Sequence, residues 1–139
     1  MAITQAMCTS FKSEILQEGH QLATDTIKIA LFTSSASLDA TTTAFSTSNE
    51  VSGTGYTSGG VTLTSTTVST SGTTAFFDAD DPTWTSATFT ARGAIIYNAS
   101  SSNKAVAVLD FGEDKIVTGG TFTVVFPAPD SANAIIRIG

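Results

Sequence analysis

The chain has 139 residues, enough for one domain with its own core. Only 13% are charged, about half the usual share, and the net charge is −6 with six scattered basic residues, which argues against a nucleic-acid surface. A single cysteine, Cys8, excludes an intrachain disulfide, and no apolar run approaches the ~20 residues of a membrane-spanning helix.

Residues 1–8 read as a polar arm without the apolar run of a signal peptide. Thr9 or Ser10 is placed to cap a short helix reaching Gln17 or Glu18, with Gly19 as its stop. Met7, Phe11 and Ile15 recur at four-residue steps and form one narrow apolar face, widened by Leu16. So short a helix persists only when docked, either on the chain's own sheet or on a neighbouring subunit.

From residue 26 the period changes to two. Ile27, Ile29 and Leu31 alternate with Lys28, Ala30 and Phe32, the pattern of a strand covered on both faces. Residues 33–60 form a connection far longer than usual, carrying Leu38, Phe45, Val51 and Tyr56 as apolar anchors. Further strands are expected at 61–70, 74–78, 84–92, 93–97, 104–111, 121–126 and 134–138. Turn signals fall at Ser71-Gly72, Asp80-Asp81-Pro82, residues 98–103 and Gly119-Gly120. In 84–92 the alternation sets Trp84, Ser86 and Thr88 against Thr85, Ala87 and Phe89. About eight strands and one N-terminal helix predict an all-β fold. It would be an antiparallel β-sandwich of immunoglobulin-like or jelly-roll type, with residues 9–139 as its single domain.

Residues that could carry chemistry are few. His20 is the single histidine and Cys8 the single thiol, and neither sits in a catalytic motif. His20 reads as a helix-end residue facing the carboxyl end of the macrodipole, and Cys8 as a small buried hydrophobe. One His and one Cys do not make a zinc site. Asp78, Asp80 and Asp81 are weak candidates for a surface cation, because hard oxygen ligands suit Ca²⁺; a solvated acidic turn is the competing reading. Glu113 and Asp114 form a second acidic turn. Gly53, Gly55, Gly59 and Gly60 lack the Gly-Lys-Ser/Thr of a phosphate loop and precede a strand, so they mark positive-φ or close-approach positions. Tyr56 and Trp84 are the aromatic pair a sugar-stacking site would use. No cofactor and no catalytic set is expected.

The order and spacing of several pieces carry a resemblance. They are Ile-Ala-Leu-Phe-Thr-Ser at 29–34, Asn-Glu-Val-Ser-Gly-Thr-Gly-Tyr at 49–56, and the run from Trp84 to Asn98. Ala-Val-Leu-Asp-Phe at 107–111, the hydrophobic strand at 121–126 and Ile-Ile-Arg-Ile at 135–138 complete it. Over most of its length the chain resembles small β-domains of tailed-phage virion proteins. The resemblance implies a non-enzymatic virion component assembled in the host cytoplasm. A charge-poor surface, about 30% Ser and Thr by residue, suits a capsid decoration (cement) protein. Its expected partners are the major capsid protein and copies of itself as a dimer or trimer, with no nucleic acid and no membrane. A tail, neck or fibre-attachment part is the alternative, and a carbohydrate-binding module the second. Met7, Phe11 and Ile15 of the arm and helix, and Phe45, Val51 and Tyr56 of the long loop, are the expected partner contacts.

Overall fold

A computed structural model describes residues 2–17, 19–130 and 132–138. Eight strands and one helix follow in the order β1 (Ala6–Met7), α1 (Thr9–Ile15), β2 (Ile27–Phe32), β3 (Val61–Thr62), β4 (Thr67–Ser71), β5 (Thr74–Asp78), β6 (Thr83–Asn98), β7 (Lys104–Thr123) and β8 (Ile136–Ile138). They form a five-stranded sheet, β1-β7-β6-β2-β3, and a three-stranded sheet, β4-β5-β8, with every strand pair antiparallel. The fold is all-β and sandwich-like, with a single short helix.

The helix starts directly from the arm. Cys8 is the N-cap, in extended backbone and without a side-chain cap, while Thr9 and Ser10 are already helical. The helix start is held instead by backbone: Cys8 N–H donates to Val106 O (3.0 Å) and Thr9 N–H to Ala40 O (2.8 Å). Leu16 is the C-cap, ahead of the predicted stop at Gly19, whose N–H reaches back to Glu14 O at 2.7 Å. The helix itself ends at Ile15, short of Gln17; the alternative end at Glu18 lies outside the described residues. The arm is not loose. Ala6 and Met7 pair with Val108 and Ala107, Ile3 bridges Leu38, and Gln5 Oε1 accepts from Asp110 N–H at 3.0 Å.

The eight predicted strands are eight by a different partition. Segment 61–70 is two strands in different sheets, separated by Ser65 in the left-handed region (φ 54°). Segments 84–92 and 93–97 are one strand, β6. The Gly93 that reads as a break lies within it because the backbone is approached closely there. A Cβ at Gly93 would lie 2.6 Å from Leu109 O and 2.8 Å from Ile3 Cδ1. The predicted strands at 104–111 and 121–126 also belong together, since β7 runs through to Thr123. Glu113 and Asp114 sit in a bulge of β7 rather than a turn: Gly93 pairs with Asp110 but Ala91 with Lys115, leaving residues 111–114 opposite Arg92 alone. Arg92 spans that bulge, 3.8 Å from Asp110 and 3.6 Å from Asp114.

A second irregularity corrects the facing of 84–92. The register shifts between Trp84 and Ala87, with Ser86 at φ 47°, so the alternation changes phase. Trp84, Ala87 and Phe89 are therefore all buried, and Trp84 and Phe89 both pack against Phe122. The core joins both sheets: Ile27, Ile29, Leu31, Ile95 and Val106 from the large sheet form one cluster with Phe77 and Ile136 from the small one.

Candidate functional site

The long loop is ordered by its own chemistry. Glu50 accepts three donors from the following ten residues: the Tyr56 hydroxyl and Gly59 N–H (2.8 Å) at Oε2, and Ser58 Oγ (2.7 Å) at Oε1. Tyr56 oxygen accepts in turn from Leu31 N–H (3.0 Å) on β2, and the Tyr97 hydroxyl donates to Gly59 O (2.6 Å). Burial, followed by the Glu50 hydrogen bond, pushes the Tyr56 phenol well above its ordinary range; burial and the Glu50 charge raise Tyr97. Both stay protonated and serve as pins. Gly60 (φ 77°) lies so close to β2 that a Cβ would overlap the Ile29 carbonyl oxygen. The glycine-rich segment 49–60 therefore closes the loop onto the sheet and leaves no phosphate cradle.

The predicted contact residues are largely absorbed by the protomer's own fold. Phe11 and Val51 are buried in the core, and Met7, Ile15, Phe45 and Tyr56 pack against it partly buried. Phe45 stacks on Tyr97 with ring centroids 4.5 Å apart. Leu16, which widens the helical face, is 87% exposed. Tyr56 and Trp84 do come together, with ring centroids 6.4 Å apart, but Trp84 is only 3% exposed and offers no face to a sugar.

His20 is part of a buried polar bolt. Its Nε2 lies 2.8 Å from Glu14 Oε1 and its Nδ1 3.0 Å from Asn98 Nδ2. Asn98 Nδ2 also donates to Asp25 Oδ2 (2.7 Å), and its Oδ1 accepts from Ser100 N–H (3.0 Å). A carboxylate that accepts on one side and an N–H that donates on the other fix the amide orientation, so Nδ1 accepts and Nε2 carries the proton. The bolt ties helix, segment 19–26 and the β6–β7 turn together. The Asn98 amide, then Gln21 N–H, hold the Asp25 carboxyl below its ordinary range. Sequence gave no sign of this group, because Asn98 lies 78 positions from His20 and 73 from Asp25. Cys8 is fully buried, and burial, with Asp39 and Glu14 nearby, pushes its thiol up to about 11. It is not a thiolate near neutral pH.

The acidic turn is divided between tasks. Asp81 Oδ1 accepts from Phe126 N–H (2.9 Å), Asp80 Oδ2 lies 3.4 Å from Thr64 Oγ1, and Asp78 belongs to β5 opposite Thr67. No cluster of three metal-ligating side chains occurs among the described residues. None of their helices is long and apolar enough to cross a membrane.

Several hollows remain open among the described residues, one of them a groove of about 810 Å³ between the outer part of β7 and the C-terminal segment. Phe111, Phe122, Val125 and Ile135 are among its apolar lining residues, and Gln5, Thr74, Lys115, Thr123, Asn133 and Arg137 line it with polar groups. Val125 is 75% exposed. Such a surface can take a partner segment that carries both apolar and polar side chains. Comparisons with known protein families, curated proteins and solved structures find no match.

Proposed function

We propose that this chain is a non-enzymatic structural protein of the tailed-phage virion, a capsid decoration (cement) protein that sits on the outer surface of the major capsid protein lattice. The observation that carries the reading is the open groove beside β7, lined by apolar and polar side chains together, on a molecule with few charges whose conspicuous polar motif is consumed by its own loop. Groups that elsewhere would be candidates for chemistry are occupied in holding the fold: Glu50, His20, Asn98 and Asp81. The resemblance of the chain's strand and loop sequences to virion β-domains supplies the particle. Stabilisation then comes from apolar surface buried across capsomer seams, so that separating the lattice must also break those contacts. A stable seam of this kind buries at least ~1,000 Å². The acidic balance suits the outside of a shell, away from the genome.

Quantitative stoichiometry of purified virions tests this. A cement protein is expected on the order of hundreds of copies per particle, whereas closed-ring tail or neck parts number about six to eighteen. The low number transfers the chain to the tail, and absence from the particle removes the virion reading altogether.

A further inference from the structure

The edges of the two sheets are not treated alike. An exposed strand edge offers unpaired N–H and C=O groups, and proteins blunt such edges with charge, proline, bulges or short length. In the large sheet, β1 and β3 are two residues each, and the stretch of β7 beyond β1 carries Glu113, Asp114 and Lys115 with positive-φ Gly112 and Gly119. In the small sheet, β8 is three residues long and carries Arg137. β4 is the exception. It is the outer strand of its sheet and five residues long, Thr67-Val68-Ser69-Thr70-Ser71, with no charge, proline, glycine or positive φ, and every residue is exposed.

We propose that β4 pairs antiparallel with β4 of a second copy about a two-fold axis at Ser69, joining the two small sheets into one of six strands. The strand's own sequence favours this occupant. Centred on Ser69, the register sets Thr67 opposite Ser71 of the other copy and Val68 opposite Thr70, so all five residues pair and no like charges meet. Val68, Phe77 and Ile136 lie in one row across the sheet, and Thr70, Ala75 and Ile138 in the next. Phe77 and Ile136 are buried in the core, so Val68, 52% exposed, stands at the open rim of the core-facing side. Pairing places the Thr70 methyl of the second copy over it. The row of β-branched pairs then continues across the axis. A five-residue ladder is a small interface, so the dimer is weak and dependent on concentration. It does not depend on a place in a virion.

The test uses the full chain. Cys8 is buried and its thiol pushed up to about 11, so it leaves an introduced cysteine as the reactive one. Two residues directly opposite in an antiparallel pair lie within disulfide reach, whereas Thr67 of each copy is four positions off register. Under mild oxidation at high protein concentration, Ser69→Cys is expected to form the covalent dimer at least about tenfold faster than Thr67→Cys. In parallel, sedimentation of the wild type should show mass rising with concentration. Ser69→Lys, which sets two ammonium groups face to face on a strand exposed on both sides, should remain a monomer with an unchanged circular dichroism spectrum. Equal crosslinking at positions 67 and 69, no crosslinking at either, or a Ser69→Lys protein that associates as the wild type does overturns the proposal.

Discussion

At the residue scale, the glycines separate into two kinds, and stability measurements should show it. Gly60 and Gly72 both have positive φ, but a Cβ at Gly60 meets the Ile29 carbonyl whereas at Gly72 it meets nothing within 4 Å. Gly72→Ala is expected to cost about 1 kcal/mol from backbone strain alone. Gly60→Ala adds a backbone overlap that no rotamer relieves, and is expected to cost more than about 3 kcal/mol, read from urea midpoints. Tyr56→Phe removes the acceptor of Leu31 N–H and a donor to Glu50 and is expected to cost about 1–3 kcal/mol by the same measurement. Asp25 gives a pH dependence of definite sign. Its carboxyl is held below the ordinary value near 3.9, so its contribution is complete above that pH and is lost as pH falls through the depressed value. Asp39 and Asp130 are held low too, by Thr41 and by Ala132 N–H with Asn133. Asp25→Asn should therefore make the acid limb of the stability curve below about pH 4 shallower without abolishing it.

At the scale of elements, the sequence was readable where one periodicity ran undisturbed and misleading where a local device changed its phase. The apolar alternation of β2 and the Phe76–Phe77 opposition in β5 are present as expected, with Phe77 buried and Phe76 partly exposed. Ser86 and the 111–114 bulge are different: one residue in the left-handed region, or four opposite one, shifts the facing of everything beyond it. Nothing in a string of Thr and Ser announces which of them will bulge. Gly93 misleads for another reason. A glycine required by a close contact looks the same as a glycine that ends a strand, until Ile3 is seen above it. The candidate site was less legible than the fold, because the groove joins β7 to the C-terminal segment and the polar bolt joins residues far apart in sequence. The arm is where element and prediction meet. Read from sequence as an arm apart from the domain, residues 1–8 would be dispensable for the sandwich; with Ile3 buried against Gly93 and β1 completing the sheet, their deletion should destabilise the fold itself. Ile3→Ala alone is expected to lower stability by about 2–4 kcal/mol in denaturant unfolding.

At the scale of the whole molecule, the body is charge-poor, and on the proposed function the groove beside β7 is the surface that meets the capsid. Val125→Asp puts a charge into that groove at a largely exposed position, so it should leave folding stability within about 0.5 kcal/mol; if the proposed capsid contact is made there, the variant leaves virions at a lower temperature than the wild type. Retention equal to wild type would move the contact elsewhere on the surface. The pairing of β2 with β6 has a further consequence, for the order in which the chain is made. β2, with the sequence Ile-Lys-Ile-Ala-Leu-Phe, emerges from the ribosome long before its main partner: Phe32 must wait for Gly93, and Ile27 for Asn98. Two residues of β3 and a single bridge from Phe32 to Glu50 are the sheet pairing it finds in the meantime. The β6–β7 ribbon, by contrast, can zip outward from its own short turn at 99–103 as soon as both strands are free. The nascent chain therefore carries an apolar strand without a template through much of its synthesis, and the ribbon made later is the surface on which the earlier half finally folds.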